Sequence, residues 1–216
     1  MLEAHAHIPP DARDGAPVLV LLHGRGSDEH DLQGLAPHLP ADAALVTPRA
    51  PHPGGPWGYG AGWAWYRYLH DDRVEAGTLA RSLAALDGFL DGLPGLLPVR
   101  PGPLALGGFS QGGTTSLAYA MTRPGRVRRV IVLSGFLVDD PSVPVDPEAA
   151  EDLDVFWGHG TLDPAIPHAL GAKGRKRISE AGVRVRARDY PIGHGVSVEE
   201  LADVRSWLKE GARGEG

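Results

Sequence analysis

Apolar positions along the chain follow two different periods. The segment 17–23, Pro-Val-Leu-Val-Leu-Leu-His, is continuously apolar, which suits a strand covered on both faces of a parallel sheet. Segments 43–46, 104–107, 127–133, 153–157 and 183–190 read as further strands. Between them, 71–90 places Val74, Leu79, Leu83, Leu86 and Leu90 at helical spacing. Helices are also expected over 113–121, 165–181 and 198–208, and 28–39 is compatible with another. Strands alternating with helices predict an α/β fold with a mostly parallel central sheet flanked by helices. One domain over 1–216 is expected, with loosely ordered tails at 1–14 and 211–216. Residues 49–68 read as a long aromatic loop and 137–150 as a connector rich in proline and aspartate.

Composition narrows the chemistry. The 30 glycines and 20 prolines gather at the expected turns, so they indicate tight loops rather than a low-complexity tail. With no cysteine, a thiol nucleophile, a thiolate metal site and disulfides are excluded. The net charge of −6 argues against a nucleic-acid surface, and Lys173, Arg175, Lys176 and Arg177 read as the solvated face of a helix. No run reaches membrane-spanning length and residues 1–15 lack a signal-peptide core, so a cytoplasmic protein without stable membrane association is expected.

The most informative motif is Gly108-Phe109-Ser110-Gln111-Gly112, placed between an expected strand and an expected helix. In that context Gly-x-Ser-x-Gly forms a sharp turn that lifts the serine hydroxyl above the sheet, with small residues making room for the bend. A serine nucleophile needs a general base and an orienting carboxylate, in the chain order Ser, acid, His. Asp163 follows the 153–157 strand and His194 follows the 183–190 strand, both at carboxyl ends where loops of an open α/β sheet converge. Asp154 lies at the wrong end of its strand, Asp189 lies inside one, and Asp139 and Asp140 are displaced alternatives. His159, near the acid but before it, reads as a turn residue or one that supports the acid from behind, and His5, His7, His30, His52, His70 and His168 lack a favourable context. The backbone amides of Arg25 and Gln111 are the expected oxyanion donors, with His23 bracing the Gly24–Gly26 loop. The Arg25 side chain is free to face a ligand carboxylate or a nearby acid. Trp57, Trp63, Trp65 and Tyr66 are expected to line an acyl or aryl pocket beside Ser110, with packing of the loop onto the body or a homodimer face as the alternatives. Neither a metal nor a cofactor is called for.

These segments together resemble the phospholipase/carboxylesterase family of α/β hydrolases, which includes acyl-protein thioesterases, and are most similar to its compact bacterial carboxylesterase branch. The resemblance rests on Leu21 to Asp28, Pro48 to Pro51, Gly62 to Tyr66, Gly108 to Gly113, Leu133 to Gly135, His159 to Pro164 and Gly193 to Gly195. It implies an α/β-hydrolase fold with little or no cap, a Ser110-Asp163-His194 triad, oxyanion amides at Arg25 and Gln111, and cofactor-independent hydrolysis of esters or thioesters. Protein-deacylating members often carry leucine where this chain has Arg25, which favours small to medium acyl esters as substrates. A thioesterase or lysophospholipase using the same residues is the nearest alternative, and a binding protein on a hydrolase fold is the non-enzymatic one.

Overall fold

The computed structural model describes residues 2–150 and 152–211. Seven strands form one sheet: β1 (Ala4–His7), β2 (Ala16–Leu22), β3 (Ala44–Pro48), β4 (Pro101–Phe109), β5 (Arg129–Leu133), β6 (Asp154–Gly160) and β7 (Arg184–Tyr190). Their order is β1-β3-β2-β4-β5-β6-β7, parallel throughout except for β1, which runs antiparallel to β3. Among the described residues four helices longer than one turn flank it: α1 (Ala76–Gly92), α2 (Gln111–Thr122), α3 (His168–Glu180) and α4 (Val198–Gly211), and a single helical turn forms at Pro147–Ala150.

The continuous apolar strands serve two cores at once, because successive side chains point to opposite faces. Val18, Val20, Leu22, Val130, Val132, Val155 and Trp157 face one core with Leu79, Leu83, Leu86 and Phe89 of α1 and with Ile178 of α3. Leu19, Leu21, Ile131, Leu133 and Phe156 face the other, closed by Val204, Trp207 and Leu208 of α4. Residues 111–121 of α2 are buried all round, which the small side chains Gly112, Gly113, Ala118 and Ala120 permit. This mostly parallel sheet with helices on both faces and only short ribbons above it is an α/β-hydrolase fold with a minimal cap.

Several boundaries differ from expectation. Residues 28–39 contain no α-helix, only a 3-10 segment at Gln33–His38. Pro37 lacks an amide donor and Gly34 weakens the run, so a full helix cannot propagate. Helix α1 begins at Ala76 because Asp71, at φ 48°, turns the preceding residues into the ribbon Tyr68–His70 with Arg73–Val74. The aromatic loop contains a second ribbon, His52–Pro53 with Trp63–Ala64. At the amino-terminal end, expected to be loose, Ala4–His7 pairs with β3; its side chains are exposed, so only the backbone ladder records it. The expected tail at 211–216 lies, beyond Gly211, outside the described residues. Arg175 is not solvated: it is buried in α3, lies over the Trp157 ring and bonds Asp189 at 2.6 Å. Among the described residues no helix is long and apolar enough to cross a membrane.

Candidate active site

The turn between β4 and α2 carries Ser110 at φ 55°, ψ −116°, a conformation that costs a non-glycine residue about 1–3 kcal/mol and persists only where its surroundings impose it. The surroundings are close. A Cβ on Gly112 would lie 1.9 Å from the Leu22 carbonyl oxygen, and one on Gly108 would lie 2.3 Å from it. Glycine at both positions lets α2 start directly against the end of β2. The Ser110 amide is tied to the Leu133 carbonyl at 2.8 Å, and the helix begins with Thr114 N–H donating to Ser110 O.

Ser110, His194 and Asp163 come together from three separate loops. Ser110 Oγ lies 2.9 Å from His194 Nε2, and His194 Nδ1 lies 2.7 Å from Asp163 Oδ2. The other Asp163 oxygen accepts the amides of Ala165 (2.8 Å) and Ile166 (2.9 Å). Burial pushes the Asp163 carboxyl up, but the bonds from His194, Ile166 and Ala165 outweigh it and hold it below the usual range. An ionised Asp163 only accepts, so His194 carries its proton on Nδ1 and offers the Nε2 lone pair to Ser110. The ring of His194 rests on Phe109, with centroids 4.7 Å apart.

His159 sits behind Asp163, fully buried, with Nε2 3.6 Å from Asp163 Oδ2 and donating to the Ile166 carbonyl at 2.9 Å. Burial lowers its pKa, so it stays neutral and excludes water from the acid. The other acids are engaged elsewhere: Asp189 with Arg175, Asp139 with Arg177, and Asp140 with Ser142. Asp154 begins β6 at the far end of the sheet.

The loop after β2 is braced as its sequence suggests. Ala50 N–H donates to His23 Nε2 at 3.0 Å, so the His23 proton must sit on Nδ1, where it bonds the Gly24 carbonyl at 2.7 Å. Burial lowers the His23 pKa, which preserves that neutral tautomer. Arg25 and Gln111 both border the cleft beside Ser110, and no backbone carbonyl among the described residues takes either amide.

The cleft has a volume of about 270 Å³, and its walls include Tyr66, Tyr68, Phe109, Phe136 and Ile166. Of the four aromatic residues expected to bind substrate, Tyr66 borders it and the three tryptophans do not. Trp65 is fully buried, and its indole donates to the His23 carbonyl at 3.0 Å. Trp63 exchanges backbone bonds with Gly26 and Ser27, while Arg49 covers its ring. Trp57 stacks with His52 and Tyr59. Trp65 and Trp63 turn toward the core because the ribbon is stitched to the loop after β2, so both hold that loop instead of lining the cleft. The Gln111 side chain, unremarked in the sequence, completes the arrangement. Its Oε1 accepts Trp65 N–H at 2.8 Å, and its Nε2 donates to the Tyr66 carbonyl at 2.7 Å. Phe109 and Tyr68 stood in segments already singled out, but nothing in their spacing marked them as cleft walls.

Known proteins are similar in sequence or in fold. The acyl-protein thioesterase 1 of Cryptococcus neoformans is 30% identical over 237 aligned residues, spanning 95% of this chain and 96% of its own. Esterase PE8 superposes with a TM-score of 0.80 at 26% identity, covering 97% of this chain and 98% of that one. The Bacillus cereus carboxylesterase superposes at 0.82 with 20% identity, a likeness of fold, over 97% and 94% of the two chains. Residues 3–211 match the phospholipase/carboxylesterase family across nearly the whole sequence. Fold and family together support a hydrolase of the esterase or thioesterase kind acting on acyl substrates, and the chain belongs to the phospholipase/carboxylesterase family.

Proposed function

We propose that the protein is a serine carboxylesterase for small to medium acyl esters. The observation that carries this reading is the hydrogen-bonded chain from Ser110 through His194 to Asp163 at the edge of a cleft of about 270 Å³. In the proposed reaction Ser110 Oγ attacks the ester carbonyl carbon while its proton passes to His194 Nε2. Asp163 stabilises the resulting imidazolium and keeps the ring in register. The Arg25 and Gln111 amides receive the developing oxyanion, and loss of one such donor costs about 3 kcal/mol. Collapse expels the alcohol, which takes the proton from His194. Water then attacks the acyl-enzyme through the same base, releasing the acid and restoring Ser110.

The likeness to a protein named acyl-protein thioesterase supports a second reading, thioester hydrolysis by the same residues. The modest volume of the cleft and its aromatic walls favour short chains and thus the ester reading. The test is turnover of 4-nitrophenyl esters from acetyl to lauroyl, alongside an acyl-CoA and a lysophospholipid. We expect a maximum at short acyl chains and a fall of about 10⁴-fold or more in Ser110→Ala. A maximum on the long-chain acyl-CoA would move the assignment to thioesterase. A folded wild-type protein that turns over none of them would overturn both readings.

A further inference from the structure

Arg25 stands out among the polar groups of the cleft. Its guanidinium lies over the Tyr59 ring, 4.8 Å from the centroid, while the residue borders the same cavity as Ser110. Its charge also reaches the cavity wall. Burial raises the pKa of Tyr66 and of Tyr68, and Arg25 is among the groups opposing that rise at both phenols. Arg25 itself is exposed, its guanidinium set over Tyr59 and its charge felt by Tyr66 and Tyr68 of the cleft wall. Among the described residues no carboxylate or carbonyl accepts a hydrogen bond from it. The contact with Tyr59 is to a ring face and uses no carboxylate or carbonyl acceptor, so guanidinium N–H groups remain to pair with a carboxylate or phosphate. One charge opposes this assignment: Asp31 also borders the cavity. Asp31 is exposed and forms no ion pair with Arg25, so it does not neutralise the guanidinium and acts only through screened repulsion.

We infer that Arg25 makes the cleft selective for acyl esters that carry an acid group, carboxylate or phosphate, a few atoms from the scissile carbonyl. This rests on the proposed function only in taking the cleft as the substrate site. Arg25 then has two separable parts: its amide faces the oxyanion, and its side chain reads the substrate's charge.

The test uses 4-nitroanilides, less reactive than the matching esters, and includes Ser110→Ala, so binding is read apart from turnover. N-(4-nitrophenyl)adipamic acid ends in a carboxylate; N-(4-nitrophenyl)hexanamide ends the same chain in a methyl group. Calorimetry on the full chain compares wild type, Ser110→Ala, Arg25→Met and Asp31→Asn. A charge-assisted bond predicts about 10-fold or greater preference for the acid in wild type and in Ser110→Ala. The preference should collapse to near unity in Arg25→Met, rise in Asp31→Asn, and weaken with added salt. An N-(4-nitrophenyl) amide of a phosphonate-terminated chain distinguishes phosphate from carboxylate as the preferred acid. No preference in wild type, or one that survives Arg25→Met, would overturn the inference. A wild-type protein that shows the preference yet fails to cleave 4-nitrophenyl hexanoate or its adipate counterpart would instead overturn the proposed function.

Discussion

Asp163 and Glu200 are both buried carboxyls packed around the end of β6, yet their surroundings treat charge in opposite ways. Asp163 follows the strand and accepts from His194, Ala165 and Ile166. Glu200 lies in the first turn of α4 against Gly158, where a Cβ would stand 1.9 Å from its Oε1. Neither Glu200 oxygen has a hydrogen-bond partner. Burial outweighs the opposing Ser197 backbone N–H and the Arg175 charge and pushes its pKa up to about 7, whereas three donors hold Asp163 below the usual carboxyl range. Depth alone does not decide ionisation; the number of N–H groups aimed at the oxygens does. Only one of the two environments can serve a base that must become positively charged.

The largest effect should come from removing the favoured charge. Asp163→Asn keeps the shape but presents an amide that can donate to His194 Nδ1, favouring the wrong tautomer. We expect kcat to fall about 10⁴-fold with little change in KM, measured on a short 4-nitrophenyl ester. Placing a third carboxyl between the two extremes sharpens the comparison. Gln111→Glu would retain the donor from Trp65 N–H but oppose the Tyr66 carbonyl with a like partial charge. Unfolding in urea should show a loss of about 3 kcal/mol at pH 8 and a smaller loss at pH 5, where the new group takes up a proton. A loss independent of pH would show that shape, not charge, governs the clamp.

The smallest effect is on Glu200, and its sign is opposite. The group's pKa rises from the ordinary 4.5 to about 7 on folding, so the folded state holds the proton more tightly. Its contribution to stability is full below pH 4.5 and is lost as pH climbs through 7. Glu200→Gln removes that loss. We expect it to be about 2 kcal/mol more stable than wild type at pH 8, with little difference at pH 4.5, by urea denaturation at both values. Equal offsets at the two pH values would mean that Glu200 does not ionise as its surroundings require.

Which parts could be read from sequence follows from how far each signal reaches. That Ser110, Asp163 and His194 meet was legible because each sits in a short glycine-rich segment just after a strand, in the chain order that the proposed chemistry needs. The strands were visible because two-sided burial makes them continuously apolar. Glu200 was not, since an acidic residue in a first helical turn normally faces solvent beside the positive end of the helix dipole. Its burial depends on the missing side chain of Gly158, 42 positions earlier. The tryptophans misled for a similar reason: Trp63 and Trp65 are aimed by bonds to Gly26, His23 and Gln111, contacts that no local pattern encodes. β1 escaped because the exposed Ala4-His5-Ala6-His7 has no apolar face to announce a strand.

The most direct test of the account is covalent. A fluorophosphonate should react with Ser110, and peptide mass spectrometry should place the adduct on that residue. The account predicts rapid, stoichiometric labelling of Ser110 in wild type, a marked slowing in Asp163→Asn, and none in Ser110→Ala. Labelling at another residue, or wild-type and Asp163→Asn proteins reacting at the same rate, would contradict it.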